Sequence, residues 1–274
     1  GFWFWDPVEN ISLMPWLSLT ALLHCVVTLE KRNILKNWTI ILSLITFMLS
    51  ITGTFLVRSG ILNSVHTFAN DPTRGIYILI FLFVLIFISF IIFFLFENKN
   101  PEIKKEIFLL SKETSVLINN WFIIYFLTVI LVGTIYPIFL DVISSEKISV
   151  GPPFYNKLIL PFLLPFFLFM SIGPSMQWIK TNFKFKIKYI FYLFLTLVAS
   201  LITVIFLNEK NILLYILFLA LFYLAFKSLE NFVIKKSNLA QSFSHLGFAM
   251  LMISILVNSF SSTEVIKNLN VGES

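Results

Sequence analysis

Along this chain, runs of apolar residues alternate with short polar connections. Eight such runs fall at roughly 13–29, 38–57, 76–96, 120–142, 158–178, 189–207, 212–229 and 240–260. Each has at least 17 residues. At about 1.5 Å of rise per residue, such a run covers most or all of a hydrocarbon core about 30 Å thick. The pattern predicts an all-α fold, a polytopic transmembrane helix bundle of about eight spans over residues 13–260, with short extracytoplasmic interfacial helices. Pro137 in the fourth run, and Pro161, Pro165 and Gly173-Pro174 in the fifth, predict kinks, because neighbouring helices can re-satisfy the backbone groups that proline frees. Gly151-Pro152-Pro153 predicts a rigid turn ahead of the fifth run. The pattern shows no internal repeat.

Composition supports this class. The chain is 58% hydrophobic and 12% charged, which excludes a soluble domain built around one core. Cys25 is the only cysteine, so no intrachain disulfide can form and thiols do not reveal the compartment. The net charge of +6 reads as a topology signal and not as a nucleic-acid surface. Of the 20 basic residues, six (Arg58, Arg74, Lys147, Lys157, Lys210 and Lys267) fall in one set of alternate connections and the other fourteen in the opposite set. The positive-inside rule then places Gly1–Trp16 outside the cytoplasm. The short turn Asn208–Asn211 is the step on which the later half depends. Residues 261–274 read as the start of an extracytoplasmic segment. An opening at Gly1, with neither Met nor a signal sequence, leads to the expectation of a fragment or a processed piece.

Chemistry concentrates in two places. The first is residues 1–16, an aromatic run with Trp3 and Trp5, then Asp6-Pro7, Glu9 and Met14-Pro15-Trp16. Tryptophan gathers at membrane interfaces, because an indole is apolar with one N–H to satisfy. An aromatic belt and a flat shelf for a large planar ligand are both open readings. Asp6-Pro7 is a helix-start pattern with proline at the first position, and Asp6 and Glu9 read as capping residues.

The second place is the three histidines. His24 lies about six residues before Glu30 and His245 about five after Ala240, so both sit roughly 8–9 Å inside the cytoplasmic boundary. Small or mildly polar neighbours flank each of them at helical spacing: Thr20, Ala21 and Thr28, and Gln241, Ser242 and Ala249. Two imidazoles from facing helices can hold a haem iron. The other reading is a pair of unrelated buried histidines, each bonded to a hydroxyl or carbonyl. His66 falls in an outer loop, where a solvated side chain is the ordinary reading. Arg58, at the outer lip of the second run, suits a carboxylate such as a propionate, and equally an interfacial arginine that snorkels.

The stretches WFWDPVEN (3–10) and SLMPW (12–16) resemble the tryptophan-rich WWD segment of haem-handling membrane proteins of cytochrome c maturation, in the CcmF/NrfE branch. GTFLVRSGILNSVHTFANDPTRG (53–75), EKISVGPPFYN (146–156) and IGPSMQW (172–178) resemble the same family in order and spacing. Phe2 stands where the family commonly has Trp.

The resemblance covers nearly the whole chain but only the middle-to-late part of the family's length. It implies a haem lyase subunit that joins haem covalently to apocytochrome c on the extracytoplasmic side. In that reading Trp3, Trp5, Asp6 and Trp16 form a haem-positioning shelf, His66 is an axial ligand of the substrate haem, and Arg58 pairs with a propionate. His24 and His245 ligate a transmembrane b-haem that relays electrons, with quinol as a source. The opposing ligand to His66 comes from an upstream histidine that this sequence does not contain.

Implied partners are the haem chaperone CcmE, apocytochrome c with its CXXCH segment, CcmH/CcmI-type subunits and the membrane. The implied place is the inner, or mitochondrial inner, membrane. A haem delivery protein of the CcmC type shares the shelf but departs from DPVEN. A secondary transporter would need mid-span carboxylates, whereas Asp141 lies near a span edge.

Overall fold

The computed structural model describes residues 3–62, 71–96, 106–144, 148–182, 187–234 and 238–261. All elements among the described residues are helical: α1 (Pro7–Arg32), α2 (Lys36–Arg58), α3 (Pro72–Phe96), α4 (Lys112–Ser144), α5 (Pro152–Ile172), α6 (Lys188–Phe206), α7 (Ile212–Val233) and α8 (Leu239–Ser261). A 3-10 turn, Gly173–Ser175, follows α5. Among the described residues, eight helices are long and apolar enough to cross a membrane, and the chain is a multi-pass membrane protein. Each expected span has its helix, but the fifth, expected to reach 178, leaves the α-helix after Ile172, and α1, α3, α4 and α7 run several residues beyond the expected bounds.

α1 departs most from expectation. Residues 7–16 do not form a separate interfacial helix but are continuous with the first span, and Pro15 lies inside the helix. The reason is at its start. Asp6 accepts from the Val8 N–H at 2.9 Å, and Glu9 accepts from the Asp6 N–H at 3.1 Å, which closes a capping box with Pro7 at the first position. The helix ends at Asn33, in the left-handed region, whose N–H returns to Leu29 O. Pro137, Pro161 and Pro165 also lie within helices that continue past them. Gly173-Pro174 does stop α5, and Pro152 begins α5 where a free-standing turn was expected. His66 and the tail 262–274 lie outside the described residues.

The chain divides into two compact units. The first, Gly1–Phe169 with Met176–Asn182, holds α1 to α4 and most of α5. Here α1 packs against both α2 and α4. Gly53 on α2 allows the first approach, since a Cβ there would sit 2.5 Å from Ile11 Cγ2. The second approach follows a buried stripe on α1 of Asn10, Met14, Leu17, Ala21, Cys25 and Thr28. Three polar contacts cross it: Asn10 Nδ2 to Thr134 Oγ1 at 3.1 Å, Asn120 Nδ2 to Cys25 Sγ at 3.0 Å, and Arg32 Nε to Glu113 Oε1 at 2.5 Å. Rising numbers on α1 meet falling numbers on α4, so the two run antiparallel.

Glu113 is 1% exposed and also accepts from the Ile179 N–H, at 3.0 Å to each oxygen. Removing one partner of such a pair leaves an uncompensated buried charge. Glu113→Ala is expected to destabilise the protein by about 3–5 kcal/mol. Arg74→Ala, which breaks the exposed pair with Asp71, is expected to leave stability unchanged. The fraction still soluble in detergent after a heating series measures both, and equal losses would contradict the assignment.

The second unit, Met170–Ser175 with Phe183–Ser274, contains α6, α7 and α8. Leu224 and Ala225 on α7 pack against Leu246 and Ala249 on α8, together with Met170. Where α6 begins and α7 ends, Glu230 pairs with both Lys188 and Lys227. Lys227, 5% exposed, also lies over the rings of Tyr189 and Tyr192 at 5.1 and 5.7 Å.

Candidate functional site

The aromatic segment is tied down before α1 begins. Glu9 accepts from the Phe4 N–H at 2.9 Å as well as from Asp6, so Phe4–Asp6 is bound to the first helical turn. Trp5 has φ 59, in the left-handed region. For a bulky side chain this costs about 1–2 kcal/mol, so surrounding contacts must hold it. Two contacts do so. The Trp5 carbonyl accepts from Asn10 Nδ2 at 3.1 Å. Its indole lies flat on the Tyr155 ring, with centroids 4.2 Å apart and planes 10° apart. A stack of this kind contributes about 0.5–1.5 kcal/mol beyond the area it buries. Trp3 meets Trp5 edge-on at 6.1 Å and 90°.

Beneath Trp5 lies a buried polar knot absent from the sequence reading. The amide of Asn10, fully buried, reaches Trp5 O, Thr134 Oγ1 and the Tyr155 hydroxyl, the last at 3.0 Å. Tyr155 is 1% exposed. It fits only because α4 supplies Gly133, where a Cβ would come within 2.7 Å of the hydroxyl. Asn10 and Tyr155 belong to the DPVEN and GPPFYN stretches, which the sequence reading took for a helix start and a rigid turn. The available signal was an asparagine on the buried stripe of α1.

Trp16 occupies another part of the segment. It is 48% exposed and lines a groove between α1 and α2 with Pro15, Leu19, Leu22, Ser43, Thr46, Phe47 and Ser50. Among the described residues, no ring contact joins it to Trp3 or Trp5. An adjoining groove, lined by Val8, Ile11, Ser12, Pro15, Ser50, Gly53, Thr54, Val57 and Arg58, brings Arg58 alongside the first turns of α1.

His24 lies on α1, eight residues before Arg32, or about 12 Å along the axis. His245 lies on α8, six residues after Leu239, or about 9 Å. Because α1 continues past Glu30, His24 stands about 3 Å further from its helix end than the sequence reading gave it. His24 Nδ1 is 2.8 Å from Thr20 O. A carbonyl can only accept, so Nδ1 carries a proton, and in the neutral imidazole Nε2 keeps its lone pair. That tautomer suits a haem-iron ligand, whose other nitrogen ordinarily donates to a carbonyl or carboxylate. The hydroxyls of Thr20 and Thr28 bond back to Trp16 O and His24 O and not to the imidazole. His245 is half-buried, with Ser242 and Ala249 buried one turn to either side. Each histidine is described within its own unit. Cys25 is fully buried against Asn120.

Comparison with known proteins defines the class first. Residues 1–62, which hold the strapped aromatic segment, α1 and α2, match the family described as cytochrome C assembly protein. The branch follows from relatives over longer stretches. The cytochrome c-type biogenesis protein CcmF of Pseudomonas aeruginosa is 45% identical over 183 residues, covering 66% of this chain and 27% of the relative. CcmF of Haemophilus influenzae is 36% identical over 291 aligned positions, covering all of this chain and 45% of the relative. A solved structure titled Cytochrome c Heme Lyase CcmF superposes with a TM-score of 0.67 over 93% of this chain and 39% of that one, at 22% identity. The chain belongs to the CcmF family. It spans between about a quarter and just under half the length of these curated relatives.

Proposed function

We propose that this chain carries the haem-holding part of a haem lyase subunit, which joins haem to apocytochrome c outside the cytoplasm. The observation that carries the reading is the strapped, strained Trp5 within the segment that matches the assembly family. In the reaction, two thiols of a CXXCH segment add across the vinyl groups of the substrate haem. Each S–H adds to one C=C bond, and no group leaves. No nucleophile from the enzyme is needed, and Cys25 in its buried position supplies none. What the protein contributes is placement. Trp3, Trp5, Asp6 and Trp16 set the ring plane, His66 takes one axial position, and Arg58 in its groove holds a propionate.

His24 and His245 are the proposed ligands of a resident b-haem, and the tautomer of His24 fits that role. A haem held by two imidazoles supplies one-electron transfer, here proposed to keep the substrate iron reduced at the expense of quinol. The proposed partners are CcmE as haem donor, apocytochrome c as acceptor and CcmH/CcmI-type subunits, in the bacterial inner or mitochondrial inner membrane. Residues 1–16 are the proposed extracytoplasmic haem-binding segment, with 13–260 as the bundle and 261 onward beginning another extracytoplasmic segment.

The test is complementation by the full-length protein in two strains, one lacking its own CcmF and one lacking its CcmC-type protein. Covalently bound haem on c-type cytochromes is read after denaturing electrophoresis. Recovery in the first strain alone is expected. Recovery in the second alone would replace the reading with haem delivery.

A further inference from the structure

We propose that Tyr155 is a positioning residue for haem attachment, setting the tilt of Trp5 and through it the plane offered to the substrate haem. The proposal rests on the reading of residues 1–16 as a haem shelf. Trp5 lies within 10° of the Tyr155 plane at 4.2 Å, so one indole face is taken and a planar ligand can meet only the other side. The tilt of Trp5 is therefore the tilt of Tyr155.

Tyr155 in turn cannot rock. Its hydroxyl is held by Asn10 at 3.0 Å, its ring abuts Gly133, and the residue is 1% exposed. Asn10 also holds the Trp5 carbonyl and touches Thr134, so one amide fixes both the backbone of the shelf and the ring that supports it. α1, α4 and α5 each contribute to the arrangement. A packing role alone would be served by any large apolar side chain at position 155. A positioning role needs a flat ring, with the tether at its far end a secondary restraint.

These demands separate two variants of the full-length protein. Tyr155→Phe keeps the ring and loses the tether, whereas Tyr155→Leu loses the plane. Three measurements apply to each: holocytochrome c yield in cells, the b-haem spectrum of membranes, and the 19F resonance of 5-fluorotryptophan at Trp5, identified by its loss in Trp5→Phe. Tyr155→Leu is expected to shift the Trp5 resonance and to lower holocytochrome c about ten- to a hundredfold, the scale of a misplaced reacting group. The b-haem spectrum should be unchanged. Tyr155→Phe should recover most of the yield and leave the resonance near its original position.

Normal yield in Tyr155→Leu would overturn the proposal. So would equal loss in both variants, an unmoved Trp5 resonance, or loss of the b-haem together with activity, which would mark a general packing role. A wild-type protein that makes no holocytochrome c fails the haem-lyase reading instead. The Trp5 resonance then remains as a test of the Tyr155 contact independent of haem, and an unmoved signal overturns it.

Discussion

Replacing either His24 or His245 with alanine in the full-length protein is expected to remove the low-spin b-haem spectrum from membranes. Two strong-field imidazoles keep haem iron low-spin. Loss of one leaves a five-coordinate, high-spin and loosely held haem, so the change reaches the whole signal. For His24 the physical basis is local. Its Nδ1 proton goes to Thr20 O at 2.8 Å, which fixes the ring's tautomer and leaves Nε2 as the only atom able to bind iron. Reduced-minus-oxidised absorption and low-temperature spin resonance report the change directly. A normal low-spin spectrum in both single variants would make these histidines ordinary buried ones, satisfied by backbone carbonyls.

His66→Ala is expected to do the opposite, keeping the b-haem absorption and losing nearly all holocytochrome c. The described residues on either side of its loop give the reason. Leu62 packs with Ile11 near the start of α1, and the Asp71 N–H is bonded to Arg58 O at the end of α2. Leu62 and Asp71, the described residues nearest to His66 in the chain, thus both stand at the end of the first unit that carries Trp3 and Trp5. His24 lies 17 residues along α1 from Pro7, or about 26 Å. If both histidines bind iron, they bind different irons. Because an axial ligand can be replaced from solution, added imidazole should restore part of the activity of His66→Ala. Normal holocytochrome c in the variant would return His66 to the status of a solvated loop residue. Loss of the b-haem would require the two sites to be merged.

The spans were legible because each is a long apolar run, and length against bilayer thickness is a one-dimensional property. The start of α1 was legible for a similar reason, since Asp6, Pro7 and Glu9 act on one another within a turn. The seat of Trp5 was not. Asn10 meets Thr134 and Tyr155 across 124 and 145 positions, and nothing local distinguishes a buried amide from one in a loop. Glu113 was hidden similarly. Beside Lys112 it reads as part of a charged connection, yet α4 begins there and Arg32 neutralises it. Depth along a helix was only partly legible, because α1 carries its own charged end beyond Glu30 by pairing Arg32.

The three polar contacts between α1 and α4 also set an order of manufacture. Asn10, Cys25 and Arg32 find their partners 124, 95 and 81 positions later in the chain. At about 5–20 residues per second, a ribosome delivers those partners roughly 4–25 s after the residues they will join. During that interval α1 stands without the α4 half of all three contacts. The seam between the two helices can therefore close only once α4 has been made. A truncation that stops before Glu113 should leave that seam open.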